Sequence, residues 1–169
     1  MEALEAIYTR RSIRKFTPEP VKETDLEKIL KAAMCAPSAN HETPWHFVVV
    51  KDRKLLAEIP KISRWAQMAS SAALAIIVCG DRNLETGKGY WPLDCSAATQ
   101  NILLAAHSLG YGAVWTAVYP DEEKIGRVSK LFNIPNNVVP LCIVPIGKPD
   151  QKPAAAERYD ESRVHADHW

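Results

Sequence analysis

The stretch Arg10-Arg11-Ser12-Ile13-Arg14-Lys15-Phe16 places five cationic or hydroxyl side chains in its first six positions. A guanidinium offers a planar fork of donors that matches phosphate oxygens two at a time, and a serine hydroxyl adds one more bond. The ligand this donor set suits is a doubly charged phosphomonoester, held without a metal. The plainer reading of the same residues is a solvated basic loop. Other phosphate and catalytic signatures are missing. The seven glycines make neither G-x-G-x-x-G nor G-x-x-x-x-G-K-[ST], no G-x-S-x-G elbow is present, and His41-Glu42 runs into Thr43-Pro44 instead of a zinc helix. His165, Asp167 and His168 cluster near the end of the chain but are too few to predict a metal site.

Hydrophobic periodicity places the cluster. Leu4, Ile7 and Tyr8 mark a first helix that ends near Arg10, so the cations sit at a helix C-terminus, where the dipole does not favour an anion and side chains must supply the charge. Thr24-x-x-Glu27 predicts a capping box opening a helix through Leu26, Ile29, Leu30 and Ala33 that Pro37 must terminate, leaving Pro37–Pro44 as a loop. Phe47–Val50 and Leu74–Cys79 are short apolar runs of the kind covered on both faces of a sheet, and Arg53–Ser71 between them reads as one or two helices. Asp94–Leu109 is a long helix whose apolar and small residues nearly encircle it, with Gly110 at its C-cap. It predicts burial against a partner chain, with Gln100 and Asn101 as interface hydrogen-bonders. A third strand over Ala113–Val118, a helix over Asp121–Phe132 and a fourth strand over Val138–Ile146 complete the body.

With 169 residues the chain predicts one domain that buries roughly 68–70% of its unfolded surface. Lys+Arg 21 against Asp+Glu 20, a net charge of +1, argues against a general nucleic-acid surface, so any anion site depends on local charge. The four cysteines form no C-x-x-C pair, which predicts a reduced, cytoplasmic setting. No apolar run approaches the ~20 residues of a membrane helix, and Met1–Glu5 resembles no export signal. Beyond Gly147-Lys148-Pro149 the composition turns to Asp, Gln, Lys, Pro and Ala, yet the chain ends on Trp169, so a tail over 150–169 is expected to dock on something.

Several further motifs accompany the Arg cluster in order. They are Ala36-Pro37-Ser38-Ala39, Pro44-Trp45-His46-Phe47, Ala98-Thr99-Gln100-Asn101-Ile102-Leu103-Leu104-Ala105-Ala106, Gly110-Tyr111-Gly112-Ala113-Val114-Trp115-Thr116, and a tail that contains Arg158. Together these resemble the nitroreductase family of FMN-dependent oxidoreductases from about Leu4 to Trp169. The resemblance implies an α+β, three-layer α-β-α sandwich with a mixed sheet, assembled as a homodimer. The FMN-binding domain spans 1–149, and the tail over 150–169 wraps the other subunit.

The same resemblance implies the site. Arg10, Ser12, Arg14 and Arg158 meet the FMN phosphate, Arg11 reaches the phosphate or the pyrimidine edge of the flavin, and Lys148 and Lys152 compete with Arg158. Pro37, Ser38 and Ala39 lie over the flavin of the opposite subunit. His41 stands where the family pattern has Asn, and Thr43 where it has Gln. Trp115, Thr116 and Ala117 end the strand under the flavin, with the amide of Thr116 or Ala117 facing N5. The implied activity is a ping-pong, two-electron reduction of a nitroaromatic, quinone or enone by NADH or NADPH, in which the flavin does the chemistry and no catalytic side chain is needed. A reductive dehalogenase, a flavin-fragmenting enzyme of the same superfamily and a non-catalytic flavin-binding module are the alternatives.

Overall fold

The computed structural model describes residues 1–169. Five helices, α1 (Ala3–Thr9), α2 (Glu23–Met34), α3 (Arg53–Ile62), α4 (Trp91–Ser108) and α5 (Glu122–Phe132), flank a sheet of β1 (Trp45–Val50), β2 (Leu74–Asp81), β3 (Gly112–Ala113), β4 (Thr116–Ala117) and β5 (Val138–Gly147). The sheet runs β1-β2-β5-β3, with β4 also on β5. Every strand ladder is antiparallel, and the mixed pairing expected from the resemblance shrinks to one parallel bridge, Ser12 to Ala113.

Alternation along the strands builds the three layers. Leu74, Ile76 and Val78 join Ile29, Ala33, Ile102 and Ala106 in one core under α2 and α4, while Ala75, Ile77 and Cys79 join Leu56, Ile59 and Val128 in a second core under α3 and α5. Both faces of β2 are covered, which is why its sequence is a continuous apolar run.

Local predictions need four corrections. The Thr24–Glu27 capping box does not form, because α2 already begins at Glu23 behind Lys22 and has no side-chain cap. Helix α4 starts three residues before Asp94, at Trp91. Trp91 packs on Gly80, where an added Cβ would lie 2.3 Å from the indole. The third strand is split, since the chain leaves the ladder at Val114 and Trp115 between β3 and β4. Finally, much of the apolar surface of α4 is buried within its own chain, and Asn101 Nδ2 donates to Ala32 O of α2 at 2.9 Å instead of facing a partner. The large apolar groups left in the open include Leu4, Ile7 and Tyr8 of α1, Met34 of α2, Trp65, Tyr90, Leu93 of α4, and Tyr159, Val164 and Trp169 of the tail. The tail carries only one short 3-10 turn, Glu161–Arg163, and no helix in the chain is long and apolar enough to cross a membrane.

Candidate functional site

Two glycines hold the Arg10–Phe16 segment in place. Ile13 is buried over Gly112 and Phe16 over Gly147, where an added Cβ would come to 2.5 Å and 3.0 Å of the respective side chains. The backbone is tied by Ile13 N–H to Ala113 O at 3.0 Å, Thr17 N–H to Lys148 O at 2.9 Å and Asp150 N–H to Lys15 O at 2.9 Å. With Ile13 and Phe16 pointing inward, Arg14 and Lys15 are exposed and Ser12 is half-buried, its hydroxyl free of any hydrogen bond within the chain.

The charges of this segment lack counter-charges. Arg10 is half-buried, and its pKa is lowered by burial first and then by the like charges of Arg158 and Arg11. None of the eight ion pairs in the chain includes Arg10, Arg11, Arg14 or Arg158. Arg11 is occupied otherwise: its guanidinium donates to the carbonyls of Tyr8, Arg10 and Ala154. It therefore contributes field, with the fork already committed to carbonyls. Arg14 N–H donates to Gln151 Oε1 at 3.0 Å, so the start of the tail lies beside the cluster.

His107, in the last turn of α4, was not singled out by sequence. Thr9 Oγ1 spends its proton on Glu5 O at 2.6 Å, so His107 Nε2–H is the donor in the 2.8 Å contact with Thr9 Oγ1. Its pKa is lowered by burial and by Arg10 and Arg11, against a weaker opposing pull from Glu5. His107, Thr9 and Arg11 line a cleft of about 720 Å³ together with Gln151, Lys152 and the alanines that follow them. The signal for His107 is spatial, because 97 residues separate it from Arg10 in the chain.

The loop Pro37–Thr43 sits elsewhere. Ala39 N–H donates to Asp94 Oδ1 at 3.0 Å, at the other end of α4 from His107. Thirteen helical residues at about 1.5 Å each separate Asp94 from His107, a distance of about 20 Å. No hydrogen bond or ion pair joins this loop to the Arg segment. His41 and Pro37 are exposed, and Ser38 Oγ accepts from Thr43 N–H at 2.9 Å. Pro44 and Trp45 are buried, as an ordinary core anchor would be.

Of the strand-end residues, Trp115 packs half-buried on the first core, Ala117 is exposed, and Thr116 is buried with its hydroxyl donating to Ile143 O at 2.7 Å. The parallel bridge from Ser12 to Ala113 brings this strand end beside the Arg segment. Nucleophilic alternatives are poor. Burial pushes the Cys79 and Cys142 thiols up to about 12 and that of Cys95 higher still, so all three stay protonated near neutrality.

The sequence profile described as the Nitroreductase family matches residues 7–91 and 65–148. A protein of Methanothermobacter thermautotrophicus, provisionally named NADH dehydrogenase/NAD(P)H nitroreductase, is 50% identical over 169 residues, covering 100% of this chain and 88% of its own. A crystal structure of a similarly named protein from Parabacteroides distasonis superposes with a TM-score of 0.95 at 41% identity, over 99% of this chain and 98% of that one. An FMN-dependent nitroreductase of Clostridium difficile gives 0.92 at 29% identity, over 98% and 99%.

Proposed function

The chain belongs to the nitroreductase family, and from that premise we propose that it is an FMN-dependent oxidoreductase passing two electrons from NADH or NADPH to a small acceptor such as a nitroaromatic, quinone or enone. The observation that carries this reading is the group of arginines around Arg10, close enough for like-charge repulsion and without a carboxylate partner. Unpaired cations that share a half-buried site are costly unless an anion joins them, and a phosphate dianion supplies the missing charge.

Arg10, Ser12, Arg14 and Arg158 would hold the phosphate. Arg10 gives the partly desolvated contact, Ser12 a free hydroxyl, and Arg14 and Arg158 exposed forks at the rim. Arg11 holds the tail through Ala154 and adds to the local potential. Bound FMN supplies a centre that takes up and returns two electrons, so the protein's part is to orient substrates and exclude water. The split between β3 and β4 leaves backbone near Trp115 outside the ladder, and the amide of Thr116 or Ala117 would steady the reactive edge of the ring.

The Pro37–Ala39 loop is tied to Asp94, about 20 Å along α4 from His107, whose imidazole shares the field of Arg10 and Arg11, and that separation is too great for the loop to close over a ring held by its own chain's arginines. A homodimer with two shared sites, in which that loop covers the flavin held by the opposite subunit, resolves the separation. The open apolar residues of α1 are suited to such an interface, with residues 1–149 as the FMN-binding body and 150–169 as a tail over the partner. A cytoplasmic setting completes the reading.

Mass spectrometry of the cofactor released from the purified protein tests it. FMN is expected, along with flavin bleaching by NADH or NADPH without oxygen and recolouring on addition of an acceptor. FAD, or no uptake of FMN, would sink it. Sedimentation monitored at the flavin band tests the shared site: the full chain should run as a yellow dimer, and a chain ending at Pro149 should lose flavin.

A further inference from the structure

Asp94 is buried at 6% exposure in the first turn of α4. Its Oδ1 accepts the Ala39 N–H, while its Oδ2 is buried and accepts nothing. A carboxylate so placed lowers stability, since a buried acceptor left unpaired is disfavoured, and it points to a role other than stabilising the fold.

The loop it holds is strained. Asn40, His41 and Thr43 have φ of 47°, 58° and 45°, the left-handed region that non-glycine residues avoid. Three such residues persist together only where the surroundings over-determine them. Two of the restraints bind the loop to other loop residues. Ser38 Oγ takes the Thr43 N–H, and Glu42 Oε1 takes the N–H groups of Thr86 and Gly87 as well as Asn40 Nδ2. Between residues 37 and 43, the bond to Asp94 is the only one that reaches a helix. It sets where the whole strained unit stands relative to the rigid part of the molecule.

We propose that Asp94 is a positioning residue for the flavin of the opposite subunit. Its carboxylate fixes the Ala39 amide and thereby the height of the Pro37–Ala39 backbone over the ring. The negative charge is well placed for this, in the first turn of an 18-residue helix whose amino end favours an anion. The inference rests on the proposed reading of that loop as a flavin cover, and it assigns to α4 a role that no feature of the Arg cluster requires.

Hydrogen exchange on the flavin-free protein, followed by flavin spectroscopy on the loaded protein, tests it. Asp94→Ala should speed exchange of the peptide spanning 37–43 by about tenfold or more, the effect of one lost hydrogen bond on local opening. The peptide spanning 112–117 should stay unchanged. In the loaded protein the same variant should alter the visible circular dichroism of the flavin and weaken FMN by about tenfold. Asp94→Asn, which keeps an acceptor for Ala39, should return both readouts close to wild type. Asp94→Glu, which keeps the charge but moves it by one methylene, should speed exchange of the 37–43 peptide and change the dichroism at near-normal loading. If Asp94→Ala does not fold, the Asn and Glu variants carry the test between them.

Unchanged exchange in Asp94→Ala, or in Asp94→Glu where that variant stands in, would overturn the clamp. Faster exchange with an unaltered flavin spectrum and affinity would overturn the positioning role. A wild-type protein that takes up no FMN would remove the functional reading and this inference with it, and the exchange experiment would still show separately whether Asp94 holds the loop.

Discussion

The two loops at opposite ends of α4 use their polar groups in opposite ways. In Arg10–Phe16 the backbone is tied at Ile13, Arg14 and Lys15, two apolar anchors are seated on Gly112 and Gly147, and most of the cationic side chains are left without partners. In Pro37–Thr43 the polar side chains of Ser38 and Glu42 and the incoming Asp94 are turned onto backbone, and the Pro37–Ala39 stretch presents small residues and main chain beside the exposed Asn40 and His41. The first arrangement is suited to gripping a charged ligand, because unpaired donors gain most when an anion arrives. The second is suited to lying flat against a ring, because strain held by internal bonds presents a fixed backbone surface without further ordering.

This contrast predicts a ranking of effects. Removing a donor from the first loop should cost ligand and little else. Arg10→Ala is expected to weaken FMN by about 2–4 kcal/mol, roughly 30- to 700-fold in Kd, as a charge-assisted bond in a partly desolvated site is lost. Fluorescence titration measures it, and a near-normal Kd would return the segment to a solvated basic loop. Arg14→Ala, whose side chain is exposed, should lie at the lower end of that range.

Attacking the anchors instead of the donors should lower fold stability and ligand binding together. Gly112→Ala puts a methyl 2.5 Å from Ile13, and overpacking of this kind costs about 1–3 kcal/mol. Denaturant unfolding of the flavin-free protein should register the loss before any ligand is added. A variant as stable as wild type would mean that Ile13 is not seated where the fold places it.

In the second loop the sign should reverse. His41 is exposed, makes no side-chain hydrogen bond and has φ of 58°, so His41→Gly should relieve left-handed strain and stabilise by about 0.5–1 kcal/mol after the added backbone entropy of glycine. A rise in thermal midpoint without loss of FMN would sharpen the contrast. A drop would assign the histidine a contact outside its own chain.

The smallest effect is electrostatic. The folded chain lowers the pKa of His107 below its ordinary 6.5, so the unfolded chain binds the proton more readily. Stability from this group is therefore complete above about pH 6.5 and falls as the pH drops through that value. Thermal unfolding between about pH 5 and 8 should show the loss in the flavin-free protein, and His107→Asn should flatten it. FMN should flatten it too, because phosphate offsets the charges of Arg10 and Arg11 that disfavour the imidazolium.

Much of this molecule was legible in its residues. Period-3.6 patterns and short apolar runs located every α-helix and the strands, with β3 and β4 read as one, and the density of cations in Arg10–Lys15 suited phosphate, because these signals are local. Pro37 ended α2 and Gly110 closed α4 for equally local reasons. Only the tertiary structure decided matters that depend on who meets whom. The Thr24 box was idle because α2 began two residues earlier, with Lys22 in place of Thr24 as its N-cap. Val114 and Trp115 left the ladder although their sequence is strand-like, and Asn101 turned to Ala32 instead of outward. That Arg10 has no carboxylate near enough to pair with, that His107 shares its field, and that Asp94 reaches Ala39 across 55 residues are facts of packing, since a buried charge is defined by its neighbours in space and not by its neighbours in the chain.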